Sequence, residues 1–261
     1  MSFESFRQPK KEPGTEEDRS FPEKIGEALG STIGKKVFEF LRKRAEQFNV
    51  TVHGIEHLQE LTNECFLLAS NHLKPEEKAA EQSAVSADAF ILTNIIREST
   101  GKNLRIVNKS DNGWWYDSPL LRTAQKKFGQ PFGVGFTEGV GNIPVQKNPG
   151  SFNKVLLENA DGTERDHDPI LIFPEGMWYD DFSPDHTLHS GAAHIAKRLG
   201  IKIVPVYIHG ATSWNKDQKI EVSFGVPFRT ETLPKEEITE RIREAISSLQ
   251  EESRAVPAFE D

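Results

Sequence analysis

The sequence contains a single cysteine, Cys65, and lacks any long run of apolar residues. One cysteine permits no disulfide within the chain, which is typical of proteins from a reducing compartment. A helix that crosses a bilayer needs about 20 predominantly apolar residues, and no stretch approaches that length. The N-terminus also lacks the apolar segment of a secretory signal. We therefore expect a cytoplasmic location, with peripheral attachment to the inner face of a membrane as the alternative.

Basic residues are fewer than acidic residues: the chain has 32 Lys and Arg and 40 Asp and Glu, which gives a formal net charge of −8. Proteins that bind nucleic acid usually carry clustered Lys and Arg, so we expect no nucleic-acid partner. Segment 33–48 combines an apolar helical pattern with five basic residues, Lys35, Lys36, Arg42, Lys43 and Arg44. This segment either packs on the domain or contacts an anionic membrane peripherally.

Short apolar runs alternate with helical patterns along most of the chain. The runs typical of buried strands are CFLLAS (65–70), NIPVQ (142–146), PILIF (169–173) and KIVPVYIHG (202–210). The segments with helical patterns are 88–100, 118–128, 151–160, 191–200 and 233–252. The alternation predicts a single α/β domain with a mixed, mostly parallel sheet flanked by helices on both faces.

The ends of the chain have a different composition from the middle. Residues 1–20 are charged, contain proline and have few apolar side chains, which predicts a disordered tail. We expect the domain to cover 21–252, to begin with an amphipathic helix at about 22–48 and to be followed by a second tail at 253–261.

Polar residues follow the predicted strands at the ends where ligands usually bind to such sheets. Asn71 and His72 follow the first of these runs. Lys147 follows NIPVQ, and Glu175 and Gly176 come soon after PILIF. A histidine, a carboxylate and a lysine at one edge of a sheet can provide a base near neutrality and a fixed positive charge.

In order and spacing, four segments resemble the motifs of the lysophospholipid and glycerolphosphate acyltransferase superfamily of the PlsC type. The first motif is Asn-His, four residues, then Asp, and SNH (70–72) matches its beginning. GNIPVQK (141–147) resembles the second motif, with lysine in place of arginine. FPEGM (173–177) resembles the third, and IVPVYIHG (203–210) resembles the fourth. The resemblance covers roughly residues 50–225.

The resemblance implies a glycerolphosphate acyltransferase-like fold and transfer of a fatty acyl group from acyl-CoA or acyl carrier protein. The implied acceptor is the free hydroxyl of a lysophospholipid, 1-acylglycerol 3-phosphate, which gives phosphatidate. Glycerol 3-phosphate as the acceptor and a non-catalytic member that binds lipid or acyl chains are the alternatives. His72 would act as general base without a covalent intermediate, a bound cofactor or a metal. The residues implied to bind the acceptor and its phosphate are Asn71, Lys147, Glu175 and Gly176.

The sequence offers two carboxylates as the partner of His72. The family's spacing places the partner at Glu77. However, the apolar helix that normally follows the family's aspartate here follows Asp88, which implies an insertion of about eleven residues within 73–86. We predict that Asp88 is the partner and keep Glu77 as the alternative.

Overall fold

The structure is a computed structural model that describes residues 21–76, 87–109, 142–145 and 168–255. The helices in these ranges are α1 (Phe21–Ala45), α2 (Glu56–Gln59), α3 (Asp88–Thr100), α4 (Gly191–Leu199) and α5 (Lys235–Ala255). The strands are β1 (Asn49–His53), β2 (Phe66–Ser70), β3 (Arg105–Lys109), β4 (Asn142–Val145), β5 (Ile170–Ile172), β6 (Lys202–His209) and β7 (Lys219–Phe224).

The strands form one sheet in the order β1-β7-β6-β2-β5-β3-β4. All neighbouring pairs are parallel except β6 and β7, which are antiparallel. The predicted mixed, mostly parallel sheet is therefore confirmed. Because β2 pairs with β5 on one side and β6 on the other, the carboxyl ends of these three strands lie side by side near the middle of one edge.

Helices cover both faces of the sheet, as the sequence predicted. Successive side chains of a strand point to opposite faces. In β2, Phe66 and Leu68 belong to a core that includes residues of α1 and α3. Leu67 and Ala69 belong to a second core with residues of α4 and α5. All four side chains are fully buried, so β2 is a central strand, and the residues after it emerge at the middle of the sheet edge.

The first helix ends earlier than predicted. It was expected at about 22–48, whereas α1 spans Phe21–Ala45. The chain turns after Ala45, where the backbone N–H of Phe48 donates to the carbonyl of Ala45 at 3.3 Å, and then enters β1. The apolar pattern continued through Phe48 because this side chain is buried in the core, although it lies outside the helix.

The last helix ends later than the predicted boundary at residue 252, since α5 continues to Ala255. Two side-chain contacts hold its final turn. Ser253 Oγ donates to Glu221 Oε2 at 2.6 Å, and Arg254 pairs with Asp181 at 2.8 Å. Residues 253–255 therefore belong to the domain and not to the tail.

Three of the predicted segments, the tail at 1–20 and the helices at 118–128 and 151–160, lie outside the described residues, as do residues 256–261 of the predicted tail at 253–261. Among the helices that the structure describes, none is both long and apolar enough to cross a membrane.

Candidate active site

Asn71 joins the carboxyl ends of β2 and β6. Its Nδ2 donates to the carbonyl of Ile208 at 2.9 Å, and its Oδ1 accepts the backbone N–H of Ile208 at 2.8 Å. The residue is 1% exposed. The amide thus continues the pairing of the two strands beyond the point where β2 ends. This geometry supports a structural role for Asn71, and the acceptor contact implied by the resemblance remains a prediction.

His72 follows Asn71 and contacts Asp88, which begins α3. The distance between Nδ1 of His72 and Oδ2 of Asp88 is 2.7 Å. The ring of His72 also stacks on Phe173 with a centroid separation of 3.9 Å. The carboxylate on one side and the phenyl ring on one face together fix the orientation of the imidazole.

The Asp88 carboxylate is fully buried, and both of its oxygens accept hydrogen bonds. Oδ2 accepts the backbone N–H of Leu73 at 3.2 Å in addition to the His72 ring, and Oδ1 accepts the N–H of Ala89 at 2.6 Å. Negative charge at the N-terminus of a helix is favourable. A carboxylate in this position accepts a hydrogen bond from Nδ1–H, and in that tautomer the in-plane lone pair of the ring is on Nε2.

Nε2 of His72 accepts a hydrogen bond from the indole N–H of Trp178. Trp178 lies five residues after Phe173, beyond the FPEG motif, and is 40% exposed. The two rings meet edge to face, with a centroid distance of 5.7 Å. Both ring nitrogens of His72 therefore have partners in this structure, one of them on an exposed side chain.

Glu175 is buried, at 2% exposed, and is turned away from solvent. Its Oε2 accepts the backbone N–H of His72 at 2.9 Å, and its Oε1 contacts Nδ1 of His186 at 2.7 Å. Burial raises the pKa of Glu175 above its ordinary value, whereas the hydrogen bonds from His186 and from the His72 backbone act in the opposite direction. The carboxylate is therefore placed to hold the backbone of His72.

Gly176 follows Glu175 in a conformation that requires glycine. Its φ is +64°, and a Cβ at this position would come within 2.8 Å of Cδ2 of His189. The turn directs the chain back from β5 toward Trp178, so glycine is needed for the geometry of the edge.

The structure brings His72, Asp88, Asn71, Glu175 and Gly176 to one edge of the sheet. The remaining two predicted site residues, Glu77 and Lys147, lie outside the described residues. In the described ranges there is no group of three or more potential metal-ligating side chains.

Sequence reasoning missed three participants, Phe173, Trp178 and His186. Phe173 is the first residue of the FPEG motif and Trp178 follows the motif by two positions, so their closeness to Glu175 and Gly176 was the available signal. His186 gave no signal, because it lies in a loop without periodicity, which does not indicate the direction in which a side chain points.

His72 at the carboxyl end of a central strand, paired with Asp88 at the start of α3, has the groups that general-base catalysis requires. The model of the Acyltransferase family matches residues 49–209, which is more than half of the chain. The chain therefore belongs to the acyltransferase family, and it is an acyl-transferring enzyme.

Among solved structures, the chain is similar to the 1-acyl-sn-glycerophosphate (LPA) acyltransferase PlsC from Thermotoga maritima. The similarity covers 89% of this chain and 82% of that one, with 16% sequence identity and a TM-score of 0.48. No curated protein matches the chain.

Proposed function

We propose that the protein transfers a fatty acyl group from acyl-CoA or acyl carrier protein to the free hydroxyl of 1-acylglycerol 3-phosphate. The observation that supports this proposal most directly is the 2.7 Å contact between His72 Nδ1 and Asp88 Oδ2. It provides an oriented base at the sheet edge, in a chain whose motifs resemble those of glycerolipid acyltransferases. Glycerol 3-phosphate has the same phosphate and a similar hydroxyl, so it is the second acceptor to test.

In this mechanism Nε2 of His72 takes the proton of the acceptor hydroxyl as its oxygen attacks the thioester carbonyl. The carbon–sulfur bond then breaks, and the imidazolium returns the proton to the leaving thiolate. The acyl group moves directly to the acceptor, so no covalent enzyme intermediate forms. Asp88 orients the ring and stabilises the imidazolium. A positioned general base typically contributes about 10²–10⁴-fold to the rate.

In this proposal Lys147 keeps the role that the resemblance implies, whereas Glu175 and Gly176 act on the acceptor only indirectly. Lys147 is proposed to bind the phosphate of the acceptor as a single positive charge, without the two-pronged geometry of an arginine. Both oxygens of Glu175 already accept hydrogen bonds within the protein. Glu175 therefore acts indirectly in this proposal, by holding the His72 backbone, while Gly176 allows the turn beside it.

We also propose that α1 helps the protein reach substrates in a bilayer through peripheral contact with anionic lipid. Lys35, Lys36 and Lys43 are exposed on this helix, and Phe40 is 64% exposed. Arg42 is less available because its guanidinium pairs with carboxylates of the same helix. Exposed lysines near an apolar side chain favour binding to an anionic surface.

Purified protein, labelled acyl-CoA or acyl carrier protein, and a panel of acceptors test the transferase proposal. The panel contains 1-acylglycerol 3-phosphate, glycerol 3-phosphate and monoacylglycerol. We expect transfer to the first, and a loss of about 10²-fold or more in His72→Ala. The matched control is His53→Ala, because His53 is exposed at the end of β1 on the opposite edge of the sheet. Transfer that survives in His72→Ala would show that His72 is not the general base. A complete lack of transfer to any acceptor would favour a non-catalytic protein that binds lipid or acyl chains.

Sedimentation with vesicles tests the membrane proposal. We expect the protein to bind vesicles that contain phosphatidylglycerol more than vesicles of phosphatidylcholine, and less at high salt because salt screens the attraction. A variant in which Lys35, Lys36 and Lys43 are changed to Glu should lose this preference. Equal binding of the variant and the unchanged protein would contradict the role of α1.

A further inference from the structure

Trp178 occupies the nitrogen of His72 that the reaction needs. Nδ1 is engaged by Asp88, so Nε2 is the atom that would receive the proton of the acceptor. In this structure the indole N–H of Trp178 donates to Nε2. A nitrogen has one lone pair in the plane of the ring, so neither water nor an alcohol can use it while the indole is there.

Main-chain hydrogen bonds hold Trp178 beside His72. The backbone N–H of Tyr179 donates to the carbonyl of His72 at 3.0 Å, and the N–H of Lys74 donates to the carbonyl of Tyr179 at 2.8 Å. These bonds form a short bridge between Leu73 and Tyr179. These bonds fix the main chain next to Trp178, so Nε2 is freed by rotation of the indole side chain and not by movement of the backbone.

Trp178 is one of the exposed large side chains of the described residues. Its side chain is 40% exposed, whereas Phe173, on the other side of His72, is part of the packed edge of the core. Met177, the neighbour of Trp178, is 64% exposed. Among the three rings at this site, those of His72, Phe173 and Trp178, the indole of Trp178 is the most exposed to solvent.

We propose that Trp178 is a specificity-determining residue that admits an acceptor alcohol, but not water, to Nε2 of His72. This inference rests on the proposed function. An acceptor is bound through its phosphate and acyl chain, and part of that binding energy can displace the indole at the reacting atom. A water molecule makes no such remote contacts, so the hydrogen bond from Trp178 competes with it effectively.

The reaction that Trp178 suppresses is hydrolysis of the acyl donor. In that reaction an O–H bond of water breaks, its proton goes to Nε2, and its oxygen bonds to the thioester carbonyl carbon. The carbon–sulfur bond then breaks, and the thiolate takes the proton from the imidazolium. The products are a free fatty acid and the thiol of the donor. The same base performs transfer and hydrolysis, so access to Nε2 decides between them.

The first test compares fatty acid release with ester formation from labelled acyl-CoA in Trp178→Phe and Trp178→Ala. We expect hydrolysis without acceptor to rise roughly three- to tenfold, which is the range that loss of one hydrogen bond gives. The ratio of transfer to hydrolysis should fall with it. Met177→Ala, which shortens the exposed neighbour, should leave both rates unchanged. Hydrolysis at the rate of the unchanged protein in both Trp178 variants would overturn the inference.

A second measurement tests the contact without turnover. The chain has four tryptophans, so the Trp178 indole N–H signal in a ¹H–¹⁵N spectrum can be identified by its loss in Trp178→Phe. We expect this signal to shift in His72→Ala and on addition of 1-acylglycerol 3-phosphate. A signal insensitive to both would overturn the inference. A signal that responds to both, with no acyl transfer to any acceptor, would support displacement of the indole and overturn the proposed function.

Discussion

Glu175 holds the backbone of His72, since its Oε2 accepts the main-chain N–H of His72 at 2.9 Å. The other oxygen contacts Nδ1 of His186 at 2.7 Å, and the ring of His186 stacks on Tyr179 with a centroid distance of 3.7 Å. The backbone N–H of Tyr179 in turn donates to the carbonyl of His72. The position of the base thus depends on a closed set of contacts with the loop that follows β5.

Glu175→Ala should destabilise the fold more than Glu175→Gln. Alanine leaves the buried donors of His72 and His186 without an acceptor, and we expect the free energy of unfolding to fall by on the order of 2 kcal/mol or more. Glutamine can accept from the His72 backbone through its oxygen, and its NH₂ can donate to the other tautomer of His186. Urea denaturation measures both variants, with Glu60→Ala at an exposed position as the control. Equal losses would contradict the holding role of Glu175.

Asp88→Asn should lower activity far more than Glu77→Gln. An asparagine at position 88 can present its NH₂ group to Nδ1, which favours the tautomer with the proton on Nε2 and removes the base. We expect a loss of about 10²-fold or more in kcat/KM, measured with saturating acyl donor and with folding checked by circular dichroism. Glu77→Gln is the matched control, since it removes the charge of the other candidate. The reverse order would show that the partner has been misassigned.

The elements of the sheet could be predicted from the sequence because buried parallel strands are short and almost wholly apolar. Leu67 and Leu68 point to opposite faces and both are fully buried, so no polar residue interrupts the run. The end of such a run also marks the place of the site, which is why Asn71 and His72 could be singled out.

The contacts within the site were harder to predict because they join residues across turns. Motif spacing alone would have paired His72 with Glu77; Asp88, which lies 16 positions away and contacts His72, could be predicted only from the apolar helix that follows it. The pairing of Glu175 with His186 spans a loop with no periodic pattern. The Glu175 side chain points into the protein because of these contacts, and the order of residues gives no signal for this direction.

Cys65 should react slowly with thiol reagents while the protein is folded. It lies just before β2, its thiol contacts the carbonyl of Asp168 at 3.5 Å, and burial raises its pKa from 9.0 to about 11. The reactive thiolate forms as pH rises through the pKa. A shift of this size therefore lowers the thiolate fraction at pH 8 by about a hundredfold relative to an unshifted thiol.

Iodoacetamide labelling between pH 7 and pH 10 measures this effect, with the urea-unfolded protein as the reference for an unshifted thiol. The rate in the folded protein should still be rising at pH 10, whereas the rate in the unfolded protein should level off near its ordinary pKa. Equal rates for the two states at pH 8 would show that Cys65 is neither buried nor shifted.

Lys147→Ala should mainly raise KM for an acceptor that carries a phosphate. The proposed contact is made in the ground state as well as in the transition state, and loss of such binding raises KM while kcat changes little. Glycerol 3-phosphate, 1-acylglycerol 3-phosphate and monoacylglycerol separate the effects, because the last acceptor has a hydroxyl and no phosphate.

Lys147→Arg is the matched variant, since it keeps the charge and adds a planar guanidinium that can bind two phosphate oxygens. It should retain or lower KM for the phosphorylated acceptors. If Lys147→Ala affects monoacylglycerol as much as the phosphorylated acceptors, the lysine does not bind the phosphate, and the charge that selects the acceptor must come from another residue.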